Sequence, residues 1–379
     1  MKILHLLPNY FIKKKVILGM EMYTHNLTIE LDKLGIEQKI IAQTTDINSY
    51  KKINVYKLPK IGRFTFLRTG LEAYKLIKSK KIDFDILQQH NVGLFSIIKY
   101  KKELKKPFIL TLHSSPILIL KSINWLSLKS IKEALYYYFF TKLSIKYSDI
   151  IIVGSNECRN EIIKHFKVNE NKVKYIPAGY NDKVFNLSKT KKKDQLLFVG
   201  RFIKIKGIIT LLKAFREIIK IKPYLNLILI GADKNNSNYY NVINTIKKYN
   251  LNKNVKIIES IPANVLAKYY QSSKLVIAPS TVEATSQVGV EALACGTPVI
   301  STNISGFKDY VINNKTGFRV EIGDYNKISE IVLRIIDNKK LLKKLGLNGN
   351  KLVKNNFTWK KIAEKHKKLY KNLINHVKV

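Results

Sequence analysis

The amino-acid sequence predicts an α/β protein with two doubly wound domains, each a parallel sheet covered by helices on both faces. Short apolar runs of strand length alternate with longer stretches of helical periodicity, a pattern typical of parallel sheets. A polar, lysine-rich stretch, NLSKTKKKD at 186–194, interrupts this alternation near the middle of the 379 residues. A chain of this length is expected to form two domains at about 100–200 residues each.

The first half opens with KILHLLP (2–8), a continuous apolar run that predicts a buried strand ended by Pro8. An amphipathic helix is predicted at 20–34, where Gly35 ends it. The same reasoning extends through the rest of this half. It predicts strands at 37–44, 84–90, 106–113, 149–155 and 172–180, and helices at about 128–147 and 156–166.

The second half repeats the alternation after the linker. Strands are predicted at 195–200, 225–232, 254–260, 274–280 and 297–302, and helices at 207–220, 238–250, 263–272 and 286–295. Ligands of doubly wound sheets bind at the carboxyl ends of the strands, where loops meet helix N-termini. With two such halves, the expected site is the cleft between them.

The charge balance is strongly basic. The chain has 68 Lys and Arg against 27 Asp and Glu, a formal net charge of +41. Such a balance favours an anionic partner: nucleic acid, an anionic membrane face or a phosphorylated substrate. The joint abundance of Lys, Ile and Asn also fits the coding bias of an AT-rich genome.

Cysteine content and hydropathy indicate the compartment. Two cysteines in so long a chain predict no disulfide framework, which favours the cytoplasm. No apolar run reaches the about 18 residues of a membrane span, so membrane contact is expected only at the surface of the inner membrane face. The basic runs 74–81 and 99–107 are either such a contact or solvated faces, and the aromatic run 135–143 is expected to pack into the core.

Two loop-to-helix junctions have residues suited to phosphate. In VGRFIKIKG (199–207), Arg201 and Lys206 follow a strand end, where a guanidinium fork and a lysine charge suit a diphosphate. In the first half, Gly19 precedes a helix and permits close approach of backbone amides to an anion. Alone, each is also compatible with an ordinary solvated loop.

The stretch EATSQVGVEALACGTPVIST (283–302) places two glutamates around a helix start. Glu291 lies on an apolar helix, where a carboxylate is costly unless it accepts hydrogen bonds, for example from ribose hydroxyls. Glu283 follows a strand and suits sugar hydroxyls. Thr285 or Ser286 is expected to cap the helix, and the amides of Gln287 and Val288 to face phosphate. The alternatives are dipole complementarity for Glu291 and a solvated loop for Glu283.

These motifs, in this order, resemble the family 4 retaining glycosyltransferases, which have the GT-B fold. The resemblance covers nearly the whole chain. It is carried by IAPS followed by Glu-x7-Glu-Ala-Leu-Ala-Cys-Gly-Thr-Pro, by GRFIKIKG (200–207), IPAGYNDKVF (176–185), FILTLHS (108–114), SGFKDYVINNKTGFRVEIGD (305–324) and NFTWKKIAEKHKKLY (356–370). It implies a Rossmann-like acceptor domain at 1–185, a Rossmann-like nucleotide-sugar domain at 186–356, and a C-terminal helix at 357–379 that crosses back to the first domain.

The resemblance also implies residue roles. Glu291 would bind the ribose and Glu283 the hydroxyls of the transferred sugar. Arg201 and Lys206 would hold the diphosphate and stabilise the leaving charge. The remaining implied donor contacts are the backbone of Gly19 with phosphate, His113 with the sugar and Ile261 with the base. His90, which also ends a strand, competes with His113.

The implied activity is a metal-independent hexosyl transfer from a UDP- or GDP-type sugar, without a cofactor, to a glycan or lipid-linked acceptor of cell-surface polysaccharide or glycolipid. No Asp-x-Asp follows a strand end, and the two cations neutralise the diphosphate. One alternative is a sugar-nucleotide 2-epimerase of the same fold. The other, a nucleic-acid-binding protein, rests on charge alone, because no reading motif is present.

Overall fold

The computed structural model describes residues 1–11, 19–59, 65–91, 95–121, 127–283 and 285–377. The chain divides into two compact units, of which unit 1 is Met1–Gly179 with Trp359–Val379 and unit 2 is Tyr180–Thr358. The stretch predicted as a linker, 186–194, lies in unit 2, where the Lys192 ammonium donates to Thr297 Oγ1 at 2.6 Å.

Unit 1 is built on an eight-stranded sheet in the order β3-β4-β2-β1-β5-β6-β7-β8. Every pairing is parallel except that of β3 with β4. The strand order reverses direction between β1 and β5, so this is the point where a doubly wound sheet opens a crevice. The strands are β1 (Lys2–Tyr10), β2 (Glu37–Thr45), β3 (Ser49–Tyr50), β4 (Ile53–Lys57), β5 (Ile86–His90), β6 (Phe108–Leu112), β7 (Ile150–Val153) and β8 (Val173–Tyr175).

Helices cover both faces of this sheet. Leu27 and Leu31 of the first helix share a buried cluster with Ile362 and Tyr370 of the C-terminal helix (Trp359–Val377). The C-terminal helix therefore belongs to unit 1, as the crossing-back prediction requires. The other helices are α1 (Gly19–Lys33), α2 (Thr65–Ser79), α3 (Lys101–Leu104), α4 (Pro116–Lys121), α5 (Leu128–Tyr147) and α6 (Asn156–Phe166).

Unit 2 is built on a six-stranded parallel sheet in the order β11-β10-β9-β12-β13-β14. Counted within the unit, this is the doubly wound order 3-2-1-4-5-6, which reverses between β9 and β12. The strands are β9 (Gln195–Val199), β10 (Asn226–Ala232), β11 (Val255–Glu259), β12 (Leu275–Ala278), β13 (Val299–Thr302) and β14 (Gly317–Val320). The helices are α7 (Ile208–Ile221), α8 (Ser237–Lys248), α9 (Ala263–Ser272), α10 (Gln287–Ala294), α11 (Ser305–Lys308), α12 (Tyr325–Ile335) and α13 (Lys339–Asn356).

Two predicted strand ends are wrong. β1 continues through Pro8 to Tyr10, because its pairing with β5 ends at Leu6 and the missing proline N–H costs little where one side is already unpaired. The strand predicted at 172–180 ends at Tyr175, two residues before Pro177. Several elements of the structure were not predicted from the sequence: α2, the short pair β3–β4, α3, α4, α11, β14, α12 and α13.

The aromatic run 135–143 was predicted to pack into the core, and only part of it does. Tyr137, Phe140 and Leu143 pack against the buried cluster of unit 1. Leu135 and Phe139 are each 56% exposed. Within the described ranges, no helix combines the length and apolarity needed to cross a membrane.

Candidate functional site

The reversal point of the unit 2 sheet brings two predicted loops together. Gly207 has φ +68°, and a Cβ there would lie 2.0 Å from the carbonyl oxygen of Pro279, so only glycine permits this approach. The backbone N–H of Thr281 donates to the carbonyl of Ile205 at 2.8 Å. The loop after β9 is therefore fixed against the loop after β12.

Lys206 and Glu283, predicted to bind phosphate and sugar, form an ion pair across these loops. Their side chains are 19% and 14% exposed, so water screens the pair only partly. Ser280 Oγ also donates to Glu283 Oε1 at 3.1 Å. Arg201 follows β9 in the same loop as Lys206, and its side chain is exposed. A partly desolvated cation and anion thus lie side by side at the crevice, with a second cation on the same loop.

The helix after Glu283 begins without a side-chain cap. Ser286 occupies the N-cap position of α10 but makes no capping hydrogen bond, so the prediction of a side-chain cap at Thr285 or Ser286 is wrong. The Ser286 side chain is not needed as an anchor because its backbone is held: its N–H donates to the Gly306 carbonyl, and its carbonyl accepts from the Tyr310 hydroxyl. Gln287 and Val288, both half-buried, begin the helix, and helix geometry gives their amides no intrahelical acceptor.

Glu291 lies further along α10 and has a partner that the sequence analysis did not name. The Tyr270 hydroxyl, on α9, donates to Glu291 Oε2 at 3.2 Å. Burial raises the pKa of Glu291 to about 8, although the hydrogen bond from Tyr270 opposes the shift. Burial therefore favours the protonated form of this carboxyl group near neutral pH.

The remaining residue predicted for donor binding in unit 2 is Ile261. It follows β11 and is half-buried. It packs at the margin of the same buried cluster as Val288 of α10. Its contact with a nucleotide base stays a prediction.

Gly19, the predicted phosphate contact of unit 1, is the first residue of α1 and is exposed. A Cβ added there would meet no described atom within 4 Å. Packing within the described chain therefore does not require glycine here. The preceding Leu18, also part of the predicted loop, lies outside the described residues.

His113 directly follows β6 and is half-buried. Its backbone N–H donates to Asn91 Oδ1 at 2.9 Å, and the Tyr23 ring meets it edge-on with ring centroids 4.8 Å apart. His113 Nε2 lies 3.0 Å from Nδ1 of His90, so the two competing candidates belong to one cluster. A third histidine, His5, was missed, although a histidine in an otherwise apolar strand is a visible signal.

The described ranges contain no group of three or more His, Cys, Asp or Glu side chains arranged to hold a metal ion. The charged side chains described at the reversal point of unit 2 include Lys206, Glu283 and Arg201.

Comparison with protein families matches both units. The model described as Glycosyltransferase Family 4 matches residues 17–184, and the model described as Glycosyl transferases group 1 matches residues 180–352. The second match contains the loops of Arg201, Lys206 and Glu283 as well as α10.

Individual proteins agree with this assignment. An uncharacterized glycosyltransferase of Methanocaldococcus jannaschii is 30% identical over 94% of this chain and 95% of its own length. The capsular polysaccharide biosynthesis glycosyltransferase CapM of Staphylococcus aureus is 28% identical over 67% of this chain and 70% of its own length. Anabaena HepE, crystallised with UDP-glucose, has a TM-score of 0.74 at 16% identity, over 98% of this chain and 100% of HepE. The chain therefore belongs to the family 4 glycosyltransferases, with the two Rossmann-like units of the GT-B fold.

Proposed function

We propose that this protein is a retaining, metal-independent hexosyltransferase that uses a UDP- or GDP-type sugar. The acceptor is a glycan or a lipid-linked sugar of cell-surface polysaccharide or glycolipid synthesis. The observation that carries the proposal is the ion pair of Lys206 with Glu283 at the reversal point of unit 2. The name of the relative CapM, which places that protein in capsular polysaccharide synthesis, supports the acceptor class.

The ion pair contains a cation that can bind the diphosphate of a nucleotide sugar and an anion that can accept hydrogen bonds from its sugar hydroxyls. Lys206 exchanges Glu283 for the diphosphate, and Arg201 adds a second charge from the same loop. Glu283, once released, accepts hydrogen bonds from sugar hydroxyls. The two side chains contact each other, and donor binding replaces that contact with contacts to phosphate and to sugar hydroxyls.

The proposed reaction proceeds on one face of the sugar. The bond between the anomeric carbon and the phosphate oxygen breaks, and the acceptor oxygen bonds to the anomeric carbon from the same side. The acceptor hydroxyl proton passes to the departing phosphate oxygen, so no separate base is required. Lys206 and Arg201 stabilise the charge that grows on the diphosphate, and the enzyme contributes positioning and electrostatics.

The other donor contacts follow from the residues already described. Glu291 accepts the ribose hydroxyls, and the first amides of α10, those of Gln287 and Val288, face the phosphates. Ile261 packs against the base. From unit 1, Gly19 brings its backbone to phosphate and His113 contacts the transferred sugar. HepE, which shares the fold, was crystallised with UDP-glucose, which supports a nucleotide sugar as the donor.

The first test is a thermal-shift panel of UDP-, GDP- and ADP-sugars, followed by NMR of the product. We expect one nucleotide sugar to raise Tm by several degrees, and the anomeric configuration of the product to match that of the donor. Inversion would exclude the retaining mechanism. Conversion of the donor without any acceptor would favour the 2-epimerase, and salt-sensitive retention on DNA without nucleotide-sugar affinity would favour nucleic-acid binding.

A surface of unit 1 supports contact with an anionic membrane. A groove of about 850 Å³ is lined by Leu143, Pro107, Asp149 and five lysines, of which Lys101 pairs with Asp149 at 2.6 Å: Lys99, Lys101, Lys102, Lys105 and Lys106. A second groove, of about 520 Å³, shares Leu143 and includes Phe139, Lys142 and Lys146. The exposed Phe139 thus stands on α5 beside lysine-rich grooves, a combination suited to anionic headgroups and the acyl boundary.

Vesicle binding tests this contact. The protein is expected to bind vesicles that contain phosphatidylglycerol and not pure phosphatidylcholine, and to dissociate at high salt. Charge reversal of Lys102 and Lys105 should weaken binding about tenfold or more, since each basic residue near such a surface contributes about 1 kcal/mol. Charge reversal of the exposed Lys351 and Lys354 on α13 is the matched control. Equal loss in both pairs would assign the binding to overall charge and refute a specific surface.

A further inference from the structure

Four polar side chains form a continuous hydrogen-bonded chain through the apolar sheet of unit 1. They come from neighbouring strands in the order of the sheet: Gln38 from β2, His5 from β1, His90 from β5 and His113 just after β6. The first three are at most 2% exposed, whereas His113 is half-buried. A buried polar chain is costly unless each donor meets an acceptor, so the direction of every N–H bond is constrained.

The backbone fixes the direction at the inner end. Gln38 Nε2 donates to the carbonyls of Ile36 and Glu37, each at 3.0 Å. Carbonyl oxygens only accept, so the amide nitrogen of Gln38 must face them and Oε1 must face His5. His5 Nε2 lies 2.7 Å from that oxygen and therefore carries the hydrogen.

The direction then passes outward from ring to ring. Burial lowers the pKa of His5 to about 4 and that of His90 well below its usual value, so each ring has one N–H and one lone pair. His5 Nδ1 accepts from His90 Nε2 at 3.0 Å, and His90 Nδ1 accepts from His113 Nε2 at 3.0 Å. His113 is also neutral, because burial lowers its pKa to about 3. Its remaining nitrogen, Nδ1, is therefore left with a lone pair.

One neighbour competes for a place in the chain. The Thr24 hydroxyl lies 3.4 Å from His90 Nδ1, longer than the 3.0 Å contact from His113 Nε2. The same hydroxyl donates its single hydrogen to the Met20 carbonyl at 3.0 Å. Thr24 therefore does not reverse the direction of the chain.

We infer that Gln38, His5 and His90 are positioning residues that hold His113 as its Nε2–H tautomer, so that His113 Nδ1 accepts a hydrogen bond from a hydroxyl of the donor sugar. The last clause rests on the proposed function, in which His113 contacts that sugar. The chain excludes the opposite assignment, in which a neutral His113 donates from Nδ1 to a sugar oxygen. The nitrogen of this half-buried ring that has the hydrogen is thus set three side chains away, at a buried amide on β2.

Histidine ¹⁵N spectra of the whole protein test the chain without any substrate. Long-range ¹H–¹⁵N correlations distinguish the two neutral tautomers and the charged ring, and the chain has seven histidines to assign. We expect His5, His90 and His113 to be neutral Nε2–H tautomers from pH 6 to 8. An Nδ1–H tautomer or a charged ring at any of the three overturns the inference, whatever the enzyme's substrate is.

Donor analogues test the acceptor role of Nδ1. One sugar hydroxyl at a time is replaced by hydrogen or by fluorine, and affinity rather than turnover is measured, because fluorine also slows glycosyl transfer inductively. Fluorine accepts a hydrogen bond but does not donate one. At the hydroxyl that His113 contacts, the deoxy and the fluoro analogue should therefore both bind about tenfold more weakly than the natural donor. In His113→Ala, the natural donor and these two analogues should bind equally well. Full retention of affinity by the fluoro analogue overturns the acceptor role. If the spectra show the predicted tautomers but no sugar hydroxyl gives this affinity pattern, the placement of His113 at the sugar is refuted and the hydrogen-bonded chain stands.

Variants of His90 separate positioning from folding. His90→Gln has an amide oxygen that accepts and an amide nitrogen that donates, so it can rebuild the chain in the same direction, whereas His90→Leu cannot. We expect His90→Gln to retain donor affinity and the analogue pattern, and a folded His90→Leu to lose both. His165→Leu, on α6 and outside the chain, is the matched control. Unchanged analogue selectivity in a folded His90→Leu protein would overturn the inference.

Discussion

Replacing Lys206 with alanine is expected to lower kcat about 100- to 1,000-fold and to weaken donor binding far less. The reason is that the charge on the diphosphate grows as the sugar leaves, so an ammonium at this position stabilises the transition state more than the bound donor. Steady-state kinetics give kcat, and calorimetry with the intact donor gives the affinity.

The matched control for this prediction is Lys204→Ala. Lys204 is in the same 3₁₀ turn as Lys206, but its side chain is exposed. It should retain nearly full activity. Near wild-type turnover of Lys206→Ala, or equal losses in both variants, would refute the assignment of Lys206 to the leaving group.

Replacing Glu291 with alanine should remove the thermal shift that the preferred nucleotide sugar produces. Glu291 is the one carboxyl group in an otherwise apolar stretch of α10. Its loss would leave the ribose hydroxyls of the proposed donor without their acceptor. We expect affinity to fall by about tenfold or more. Tyr270→Phe, which removes only the neighbour's hydroxyl, should bind the donor more nearly as the wild type does.

The pH dependence of binding provides a second measure of Glu291. Burial raises the pKa of this group to about 8, so its ionised form, the better acceptor for ribose, becomes more populated as pH rises toward 8. Donor affinity of the wild type should therefore increase from pH 6.5 to 8, and that of Glu291→Gln should stay flat in the same calorimetric titrations. An undiminished thermal shift in Glu291→Ala would remove this residue from the donor site.

The doubly wound architecture could be predicted because buried parallel strands are continuous apolar runs, visible without tertiary information. The helices at 156–166 and 263–272 agree with the structure to the residue. Pro8 was wrongly predicted to end β1. A proline ends a strand only where the neighbouring strand would need a hydrogen bond from its missing N–H, and at Pro8 this depends on where β5 ends. Strand neighbours are a tertiary property that local sequence does not contain.

The candidate site could likewise be predicted only in part from local sequence. Lys206 and Glu283 both follow strands of one sheet, but the family resemblance was needed to choose them over solvated loop residues, and their pairing depends on Gly207 approaching Pro279. Tyr270 could not be named as the partner of Glu291, because it lies on a different helix at an ordinary apolar spacing. His5 could have been noticed, because it interrupts an apolar strand. Its partners Gln38 and His90 lie on neighbouring strands, however, and local sequence does not show which strands are neighbours.

The Lys206–Glu283 pair has a consequence for which anions can occupy the resting site. On the proposed function, free phosphate or a bare nucleoside diphosphate would bind Lys206 and leave the Glu283 carboxylate, which is only 14% exposed, without its ion-pair partner, although Ser280 Oγ would still donate to it. The proposed donor, an intact nucleotide sugar, would compensate both charges at once, the cation with phosphate and the anion with hydroxyls. The proposed site would therefore favour the intact nucleotide sugar over the nucleoside diphosphate that the reaction releases, and this selection would operate at binding, before any bond is broken.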